Sequence, residues 1–449
     1  MQAIQQYIDL FREHRETIER HSAPVLNALR EQALECVATS GLPAAGSEDY
    51  LHTDLEAIYA PDYGLNLTRI ELPSHPHEAF RCDVPNLTTQ LYFLVGDNFY
   101  RHDRNRPLPD GVLAGSLCDM ATAYPELAAR YYGQIADMTQ DGTVALNTLL
   151  AQDGFFLYIP RNVVLERPVQ LVDIAGGDTP MMHNRRLLVV AEEGAQVKLL
   201  VCDHSEDRGA AQLITQVTEI YAGRGATVDY YNLEENAAEV RRVSSTFVRQ
   251  EGGSNVLVNG ITLRNGTTRD NYHVELVGEH AETQLCGMAI ADAEKQVDVY
   301  TRIDHRAARC RSNELFKFVL ADKAQGSFAG RILVRQGAQK TEAYQSNKNL
   351  CASPEARMYT KPQLEIYADD VKCSHGATVG QLDQQALFYM RTRGVSEEEA
   401  RLLLMFAFMS DVIEHVRLDA LKDRLRQLTE KRFRGELAQC QQCNLHTKS

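Results

Sequence analysis

The sequence predicts a mainly β protein whose central region is a parallel β-helix, with helical regions before and after it. Three observations predict this fold class. Short segments rich in Val, Ile, Leu, Thr and Tyr alternate with Gly, Asp and Asn turns over residues 154–381. No helical pattern of about a dozen residues interrupts that stretch, which excludes an alternating α/β fold. A weak internal repeat of about 27 to 31 residues has the length of one coil, or of two short coils, of a solenoid.

The first region, residues 1–150, is expected to be mostly helical. Ile4, Tyr7 and Phe11 recur at the spacing of an amphipathic helix. Gly41-Leu42-Pro43 combines helix-breaking residues and is placed to end a helical hairpin. A second helical stretch is predicted over residues 117–138, where apolar side chains again share one face.

The second region, residues 151–381, carries the repeat. Predicted strands follow four glycines and one degenerate copy of the same pattern, at Gly194, Gly225, Gly253, Gly376 and His280. In a β-helix each coil stacks on the next, so small turn residues recur wherever the chain bends at a corner. The same spacing also fits the hairpin turns of a large β-sandwich, which the pattern alone leaves open.

The third region, residues 382–449, is predicted to be helical. Asp383 is a suitable N-cap for a helix that Gly394 is placed to end. Ser396 and Glu399 have the spacing of a capping box, which indicates the start of a second helix.

That second helix has a wide apolar face. Phe406 and Met409 extend the side that carries Leu403 well beyond the ~100° of a one-sided surface helix. Such a helix is either buried within its own bundle or partly placed in an interface, and the sequence leaves both open. A third helix, with Leu418 and Leu425 on its apolar side, is placed to cover part of this face.

Composition and charge exclude several function classes. The chain has 449 residues and a formal net charge of -14, which disfavours nucleic acid as a partner because an acidic chain repels phosphate. No apolar run approaches the ~18–20 residues that span a bilayer, and the first residues lack the features of a secretory signal. We therefore expect a cytoplasmic protein that does not bind membranes, with its ten cysteines present as thiols.

Signatures of the common enzyme classes are absent from the sequence. It has no Walker loop, no Rossmann glycine pattern, no nucleophile elbow and no His-Glu-x-x-His motif. Their absence lowers the case for catalysis without excluding it, and we expect a protein that is not an enzyme.

One segment near the end of the β region concentrates reactive side chains. Residues 367–377 hold Asp369, Asp370, Cys373 and His375. Residues two apart on a strand point to the same face, which sets Cys373 beside His375. Thiolate and imidazole bind zinc, or iron in a cluster, but two ligands do not close a site and the others must come from elsewhere. The alternative is a buried thiol beside a hydrogen-bonded core histidine, with the aspartates bonded to turn amides.

A second candidate lies in the tail, where Cys440 and Cys443 form a Cys-x-x-Cys pattern that is followed by His446. These side chains can hold a metal ion. A single Cys-x-x-Cys is nevertheless a weak signal without a second pair.

The segment over residues 364–381, Leu-Glu-Ile-Tyr-Ala-Asp-Asp-Val-Lys-Cys-Ser-His-Gly-Ala-Thr-Val-Gly-Gln, resembles the signature of the SufD branch of the SufB/SufD family. The similarity continues over residues 387–400, and residues 153–160 resemble the segment where the family's chain enters the β-helix. The sister subunit SufB carries a Cys-Gly-Ala-His type sequence at the corresponding signature, so the resemblance favours the SufD branch.

The resemblance implies a right-handed parallel β-helix flanked by helical domains, acting as a non-catalytic scaffold in iron–sulfur cluster assembly. The end of the β-helix is then expected to pair with SufB, and residues 382–449 to dock the ATPase SufC. His375, with Cys373 as the weaker candidate, is expected to bind a transient iron–sulfur cluster shared with SufB, at a site that ATP-driven motion assembles or exposes. The residues expected to dock SufC are Leu387, Phe388, Tyr389, Leu403, Phe406 and Met409.

Three other hypotheses accompany this one. The first is a β-helix polysaccharide lyase or hydrolase with Asp369 and Asp370 as its carboxylates. The second is a stand-alone metal-binding protein that uses the Cys440, Cys443 and His446 tail. A homodimer of the isolated chain is also expected to form through the β-helix edge that would meet SufB, because that edge is otherwise unpaired.

Overall fold

The computed structural model describes residues 2–70, 76, 88–102, 105–206 and 209–436. It is mainly β, and a parallel β-solenoid of about eight turns stands between N-terminal and C-terminal helices. The predicted fold class is thereby confirmed, and the β-sandwich alternative is wrong.

Nineteen strands are found in the described residues. In chain order they are β1 (Gln90–Val95), β2 (Asn98–Tyr100), β3 (Leu113–Ser116), β4 (Gly154–Ile159), β5 (Val169–Ala175), β6 (Met181–Ala191), β7 (Gln196–Ser205), β8 (Gln212–Ala222), β9 (Thr227–Glu235), β10 (Val240–Gln250), β11 (Asn255–Arg264), β12 (Thr267–Leu276), β13 (Glu282–Ala291), β14 (Gln296–His305), β15 (Arg311–Leu320), β16 (Gln325–Val334), β17 (Glu342–Cys351), β18 (Arg357–Ile366) and β19 (Lys372–Gly380). From β4 onward, each coil contributes one strand to each of two sheets.

The two sheets are named here by the parity of their strands. The odd sheet has ten strands in the order β19-β17-β15-β13-β11-β9-β7-β5-β1-β2, and the even sheet has nine, β18-β16-β14-β12-β10-β8-β6-β4-β3. Neighbouring strands are parallel except for the pairs β1–β2 and β3–β4. Thr227 pairs with Asn255, which pairs in turn with Glu282. The repeat found in the sequence is therefore one whole coil.

A single turn geometry recurs at the corner before the odd strands. A residue with φ between 58° and 68° stands two positions before each odd strand from β7 to β17. These residues are Gly194, Gly225, Gly253, His280, Arg309 and Lys340. The backbone N–H of each donates to a carbonyl at the same corner of the next coil, as Gly194 does to Arg224 at 2.9 Å. Glycine adopts this left-handed conformation without strain, which is why the first three corners are visible in the sequence.

The fourth glycine of the predicted repeat was assigned wrongly. Gly376 lies within β19 rather than at a corner, and it has no left-handed backbone conformation. At two later corners the same position is occupied by Arg309 and Lys340. Arginine and lysine are not typical turn residues, so the sequence does not mark these corners.

Ten α-helices are found in the described residues. They are α1 (Gln2–Arg20), α2 (Pro24–Asn27), α3 (Arg30–Ser40), α4 (Leu55–Tyr59), α5 (Leu117–Ala123), α6 (Pro125–Tyr131), α7 (Gly142–Leu150), α8 (Gln384–Thr392), α9 (Glu397–Glu414) and α10 (Asp419–Phe433), with a 3-10 turn at Glu48–Tyr50. The N-terminal helices cover the outer face of the even sheet, where α7 is buried along its whole length. The C-terminal helices cover the outer face of the odd sheet.

The predicted helix ends in the C-terminal region are confirmed. Asp383 accepts hydrogen bonds from the backbone N–H groups at the start of α8, and Gly394 follows that helix with a φ of 88°. Ser396 accepts from the backbone N–H of Glu399 at the start of α9. Only this half of the capping box forms, because the Glu399 carboxylate binds Arg434 instead.

The N-terminal region departs from the prediction in two respects. Strands β1, β2 and β3 lie in the part expected to be mostly helical. The helical stretch predicted over residues 117–138 is two short helices that end by Tyr131. It breaks at Tyr124, since Pro125 can begin a helix but cannot continue one.

Candidate functional site

The segment that concentrates reactive side chains forms the last strand of the solenoid. Cys373 and His375 lie on β19, where they pair with Ala343 and Gln345 of β17. Both of these partners are buried. Because paired residues of parallel strands point to the same face, Cys373 and His375 share the face directed into the space between the sheets. No further described coil covers that space.

His375 is exposed at this open end. Its side chain makes no hydrogen bond or ion pair within the described residues, so it is not the bonded core histidine of the alternative interpretation. An unengaged imidazole at the mouth of the solenoid can bind a metal ion or an incoming partner group.

Cys373 has a more enclosed environment. It is half-buried and packs against a small apolar cluster that includes Ala343 and Ala368. Burial raises the pKa of its thiol above the ordinary value, partly offset by the backbone N–H of Ala343. The thiol is therefore protonated at neutral pH in this state, which makes it a weaker ligand than His375.

Asp369 and Asp370 form the corner between β18 and β19, and both are exposed. The backbone of Asp370 bonds Gln339 and Lys340 of the preceding coil. Neither carboxylate makes a hydrogen bond or ion pair in the described part of the chain. They are corner residues, and their surroundings do not favour carbohydrate cleavage.

Within the described ranges, no three His, Cys, Asp or Glu side chains are close enough to hold a metal ion. Cys373 and His375 thus provide at most part of a coordination sphere. Any further ligands must come from outside this set.

Within the described part of the chain, the open end presents two unpaired strand edges and several exposed apolar side chains. β19 and β18 are the terminal strands of the odd and even sheets. The exposed apolar side chains at this end are Tyr344 on β17, and Tyr359, Ile366, Tyr367 and Val379 in the last coil, which are 40–62% exposed. At the opposite end of the solenoid, β2 and β3 are the terminal strands of the two sheets. Each pairs antiparallel with its neighbouring strand.

Two buried polar residues lie behind His375, and sequence reasoning missed both. Gln345 is 3% exposed and Glu314 of β15 is fully buried. The Gln345 amide Nε2 donates to Glu314 Oε2 at 2.7 Å. Desolvation raises the pKa of Glu314 to about 7. The available signal was strand alternation, which places Glu314 on the same inward face as Phe316.

The residues predicted to dock a partner divide into two groups. Phe388, Tyr389 and Leu403 are 70%, 59% and 43% exposed, and Phe406 is half-buried. Leu387 and Met409 are instead buried in the contact with the odd sheet. The apolar face of α9 is thus divided, with one side in the chain's own core and the other on the surface, and Leu387 and Met409 do not belong to the exposed surface.

Three cationic side chains attach the C-terminal helices to the odd sheet. The Lys317 ammonium on β15 binds Asp411 and the carbonyl of Phe408 in α9. Arg417 binds Asp229 of β9 at 2.9 Å, and Arg432 of α10 binds Asp292, which follows β13, at 2.7 Å. These bonds connect the helices to coils from β9 to β15.

Cys440, Cys443 and His446 lie outside the described residues. The seven cysteines within the described residues form no disulfide bond. None of the described helices is long and apolar enough to cross a membrane.

Comparison with known proteins identifies two family models along the chain. Residues 1–171 match the SufBD protein N-terminal region, and residues 174–408 match the SUF system FeS cluster assembly, SufBD core domain. An iron–sulfur cluster assembly SufBD family protein of Synechocystis is 31% identical over 406 residues, covering 89% of each chain.

Two relatives carry the SufD name. The iron–sulfur cluster assembly protein SufD of Escherichia coli is 37% identical over 296 residues, which cover 65% of this chain and 69% of that protein. The SufD protein of Bacillus subtilis is 26% identical over 359 residues, covering 78% of this chain and 81% of that protein. Together the two family models extend across both the helical and the β-helical regions.

Proposed function

Because the chain belongs to the SufBD family of iron–sulfur cluster assembly proteins, we propose that it is a SufD-type scaffold subunit. In this proposal its open β-helix end pairs with SufB, and its C-terminal helices bind the ATPase SufC. The similarity to two SufD proteins supports the choice of branch.

The single observation that carries the pairing is the uncovered last coil. Unpaired strand edges recruit further strands, and natural proteins usually cover, shorten or charge them. Here β18 and β19 are each nine or ten residues long, and exposed Tyr367 and Val379 lie on or beside them. A second parallel β-helix placed end to end would continue both sheets and bury these side chains. SufB is the partner of that shape in the family.

The ATPase contact is assigned to the exposed part of α8 and α9. Phe388 and Tyr389 lie on the outer side of α8, and Leu403 lies on α9. Aromatic side chains of this kind are typical anchors of protein interfaces. The chain itself has no Walker loop, so a nucleotide-driven cycle needs a separate ATPase.

The cluster enters this proposal as cargo and not as a resident cofactor. His375 would supply one imidazole ligand from the mouth of the solenoid, and a SufB thiolate would supply another. A neutral imidazole binds iron without adding negative charge, which suits a cluster that must later be released. Cys373 would join only after its thiol is deprotonated or exposed.

ATP-driven motion would reach this site through the helices. SufC dimerisation would pull on α8 and α9, and the bonds of Lys317, Arg417 and Arg432 would transmit the force to the odd sheet. β19 belongs to that sheet, so the junction with SufB would be strained and the cluster site assembled or exposed.

The test is co-expression of the full chain with SufB and SufC from the same source, followed by native mass spectrometry of the purified complex. The proposal predicts one stable assembly that contains all three proteins. A chain that binds neither SufB nor SufC would contradict it.

A further inference from the structure

The buried pair behind His375 leaves two side-chain oxygens without a hydrogen-bond partner among the described atoms, Glu314 Oε1 and Gln345 Oε1. Gln345 Nε2 donates to Glu314, whereas Gln345 Oε1 is fully buried and has no partner among the described atoms. A buried amide oxygen without a donor costs on the order of 1–3 kcal/mol, so a specific donor is expected nearby.

The strand order limits where that donor can lie. β17 stands between β15 and β19, and the amide nitrogen of Gln345 is already turned toward Glu314 of β15. The residue paired with Gln345 on the other side is His375. Its ring is exposed and makes no bond within the described residues, so it can rotate toward Gln345.

Among the described residues of the facing sheet, the buried hydroxyl of Thr301 on β14 lies beside Glu314. Gly330 faces the Gln345 amide so closely that an added Cβ would lie 2.3 Å from Nε2. The next coil places Pro362 beside Gly330, and proline has neither a side-chain donor nor a backbone N–H. The hydroxyl of Thr360, also on β18, is bonded to Asn347.

We propose that Gln345 is a positioning residue for His375: its Oε1 accepts a hydrogen bond from the Nδ1–H of the ring, and Glu314 holds the amide in the orientation that makes this possible. The proton is thereby fixed on Nδ1, and the lone pair of Nε2 is directed out of the solenoid. The use of that lone pair for iron rests on the proposed function, whereas the orientation of the ring does not.

A partner of this kind is the usual means by which a protein selects one histidine tautomer. The bond made by one ring nitrogen decides which nitrogen keeps its lone pair, and it fixes the plane of the ring. In the orientation found here the amide nitrogen of Gln345 donates to Glu314 Oε2, so the amide oxygen is the atom available to accept from the ring.

The test is the tautomer of His375 in the full chain, read from ¹⁵N–¹H correlations of ¹⁵N-histidine-labelled protein at a pH where the ring is neutral. The His375→Ala variant assigns the signal. We expect a predominant Nδ1–H tautomer in the wild type and a shift to the Nε2–H form in Gln345→Met, which removes the acceptor but keeps the side-chain length.

Two further variants separate positioning from general damage to the core. Asn349→Leu removes a buried amide from the same strand, beside Val379 instead of His375, and should leave the tautomer as in the wild type. Glu314→Leu removes the acceptor of the Gln345 amide nitrogen and should lose the wild-type signal. A predominant Nε2–H form in the wild type, or the same tautomer in wild type and Gln345→Met, would overturn the proposal. None of these readings needs a partner protein, so they are independent of the test of the proposed function.

Discussion

The ammonium group of Lys317, on the outer face of β15, binds the carboxylate of Asp411 in α9 and lies over the ring of Phe408. The Lys317 side chain is only 4% exposed, while Asp411 is largely exposed. The ion pair therefore connects the interior of the sheet–helix contact to its surface.

Lys317→Met should loosen α9 from the odd sheet. The carbonyl of Phe408 loses its donor, and a hydrogen bond to a charged group contributes about 1.5–3 kcal/mol. Hydrogen exchange followed by mass spectrometry should show amides of α9 exchanging at least about tenfold faster. Lys323→Met removes an exposed 3.4 Å pair with Glu294 and is the matched control. Equal protection of α9 in the two variants would contradict the attachment.

Glu314 should make stability depend on pH. Its pKa is raised from 4.5 to about 7 in the folded chain because burial disfavours the carboxylate. The folded protein thus binds this proton more tightly than the unfolded chain does. The resulting stabilisation is fully present below about pH 4.5 and is lost as the pH rises through about 7.

Glu314→Gln removes that titration. Urea unfolding of both proteins at pH 5 and pH 7.5 should show the variant gaining about 2–3 kcal/mol relative to wild type at the higher pH. The exposed Glu355→Gln should show no such change. A difference between Glu314→Gln and wild type that does not vary with pH would show that Glu314 is not the titrating group.

A charge added at the open end of the solenoid should weaken the binding of SufB. Val379→Lys places an ammonium on the edge strand β19, where continuation of the sheet would bury it. Pull-down titration with SufB should show binding weakened at least about tenfold, equivalent to 1.4 kcal/mol. Val164→Lys is the control, because Val164 is 49% exposed and Val379 is 50% exposed, yet Val164 lies far from the last coil in sequence and sheet order. Equal SufB affinity in both variants would remove β19 from the interface.

The aromatic surface of α8 should bind the ATPase. Phe388 is 70% exposed, so Phe388→Asp should leave the fold intact while abolishing an apolar anchor. Calorimetry should show SufC binding weakened about tenfold or more, with SufB binding unchanged. Leu51→Asp changes an exposed leucine of the N-terminal region and serves as the control. Undiminished SufC binding by Phe388→Asp would place the ATPase elsewhere.

The sequence alone was sufficient to predict those features of the fold that depend on a few neighbouring residues. Asp383, Gly394 and Ser396 were recognisable as helix ends because capping depends on a few neighbouring residues. The solenoid repeat was visible because Gly194, Gly225 and Gly253 occupy the left-handed corner position. The repeat is not recognisable at Arg309 and Lys340, although both adopt the same left-handed conformation. Contacts between stacked coils, and not the residue type, keep them in that conformation.

Only part of the candidate site could be predicted from the sequence in this way. Strand alternation placed Cys373 beside His375, and the family resemblance selected that segment. The partners Gln345 and Glu314 come from earlier coils, 30 and 61 positions before His375, and only the register between strands brings them together. The division of the α9 surface was likewise hidden, because a helical wheel shows that Met409 and Leu403 are both apolar but not which of them the odd sheet covers.

The most direct test of the scaffold account is the rate at which an iron–sulfur enzyme matures in cells whose only SufD-type protein is His375→Ala, measured by the activity of that enzyme. The variant should still assemble with SufB and SufC at the wild-type mass, while maturation falls at least about tenfold and Cys373→Ala causes a smaller loss. Full-rate maturation by a complex that contains His375→Ala would contradict the claim that the open end of this β-helix serves the nascent cluster.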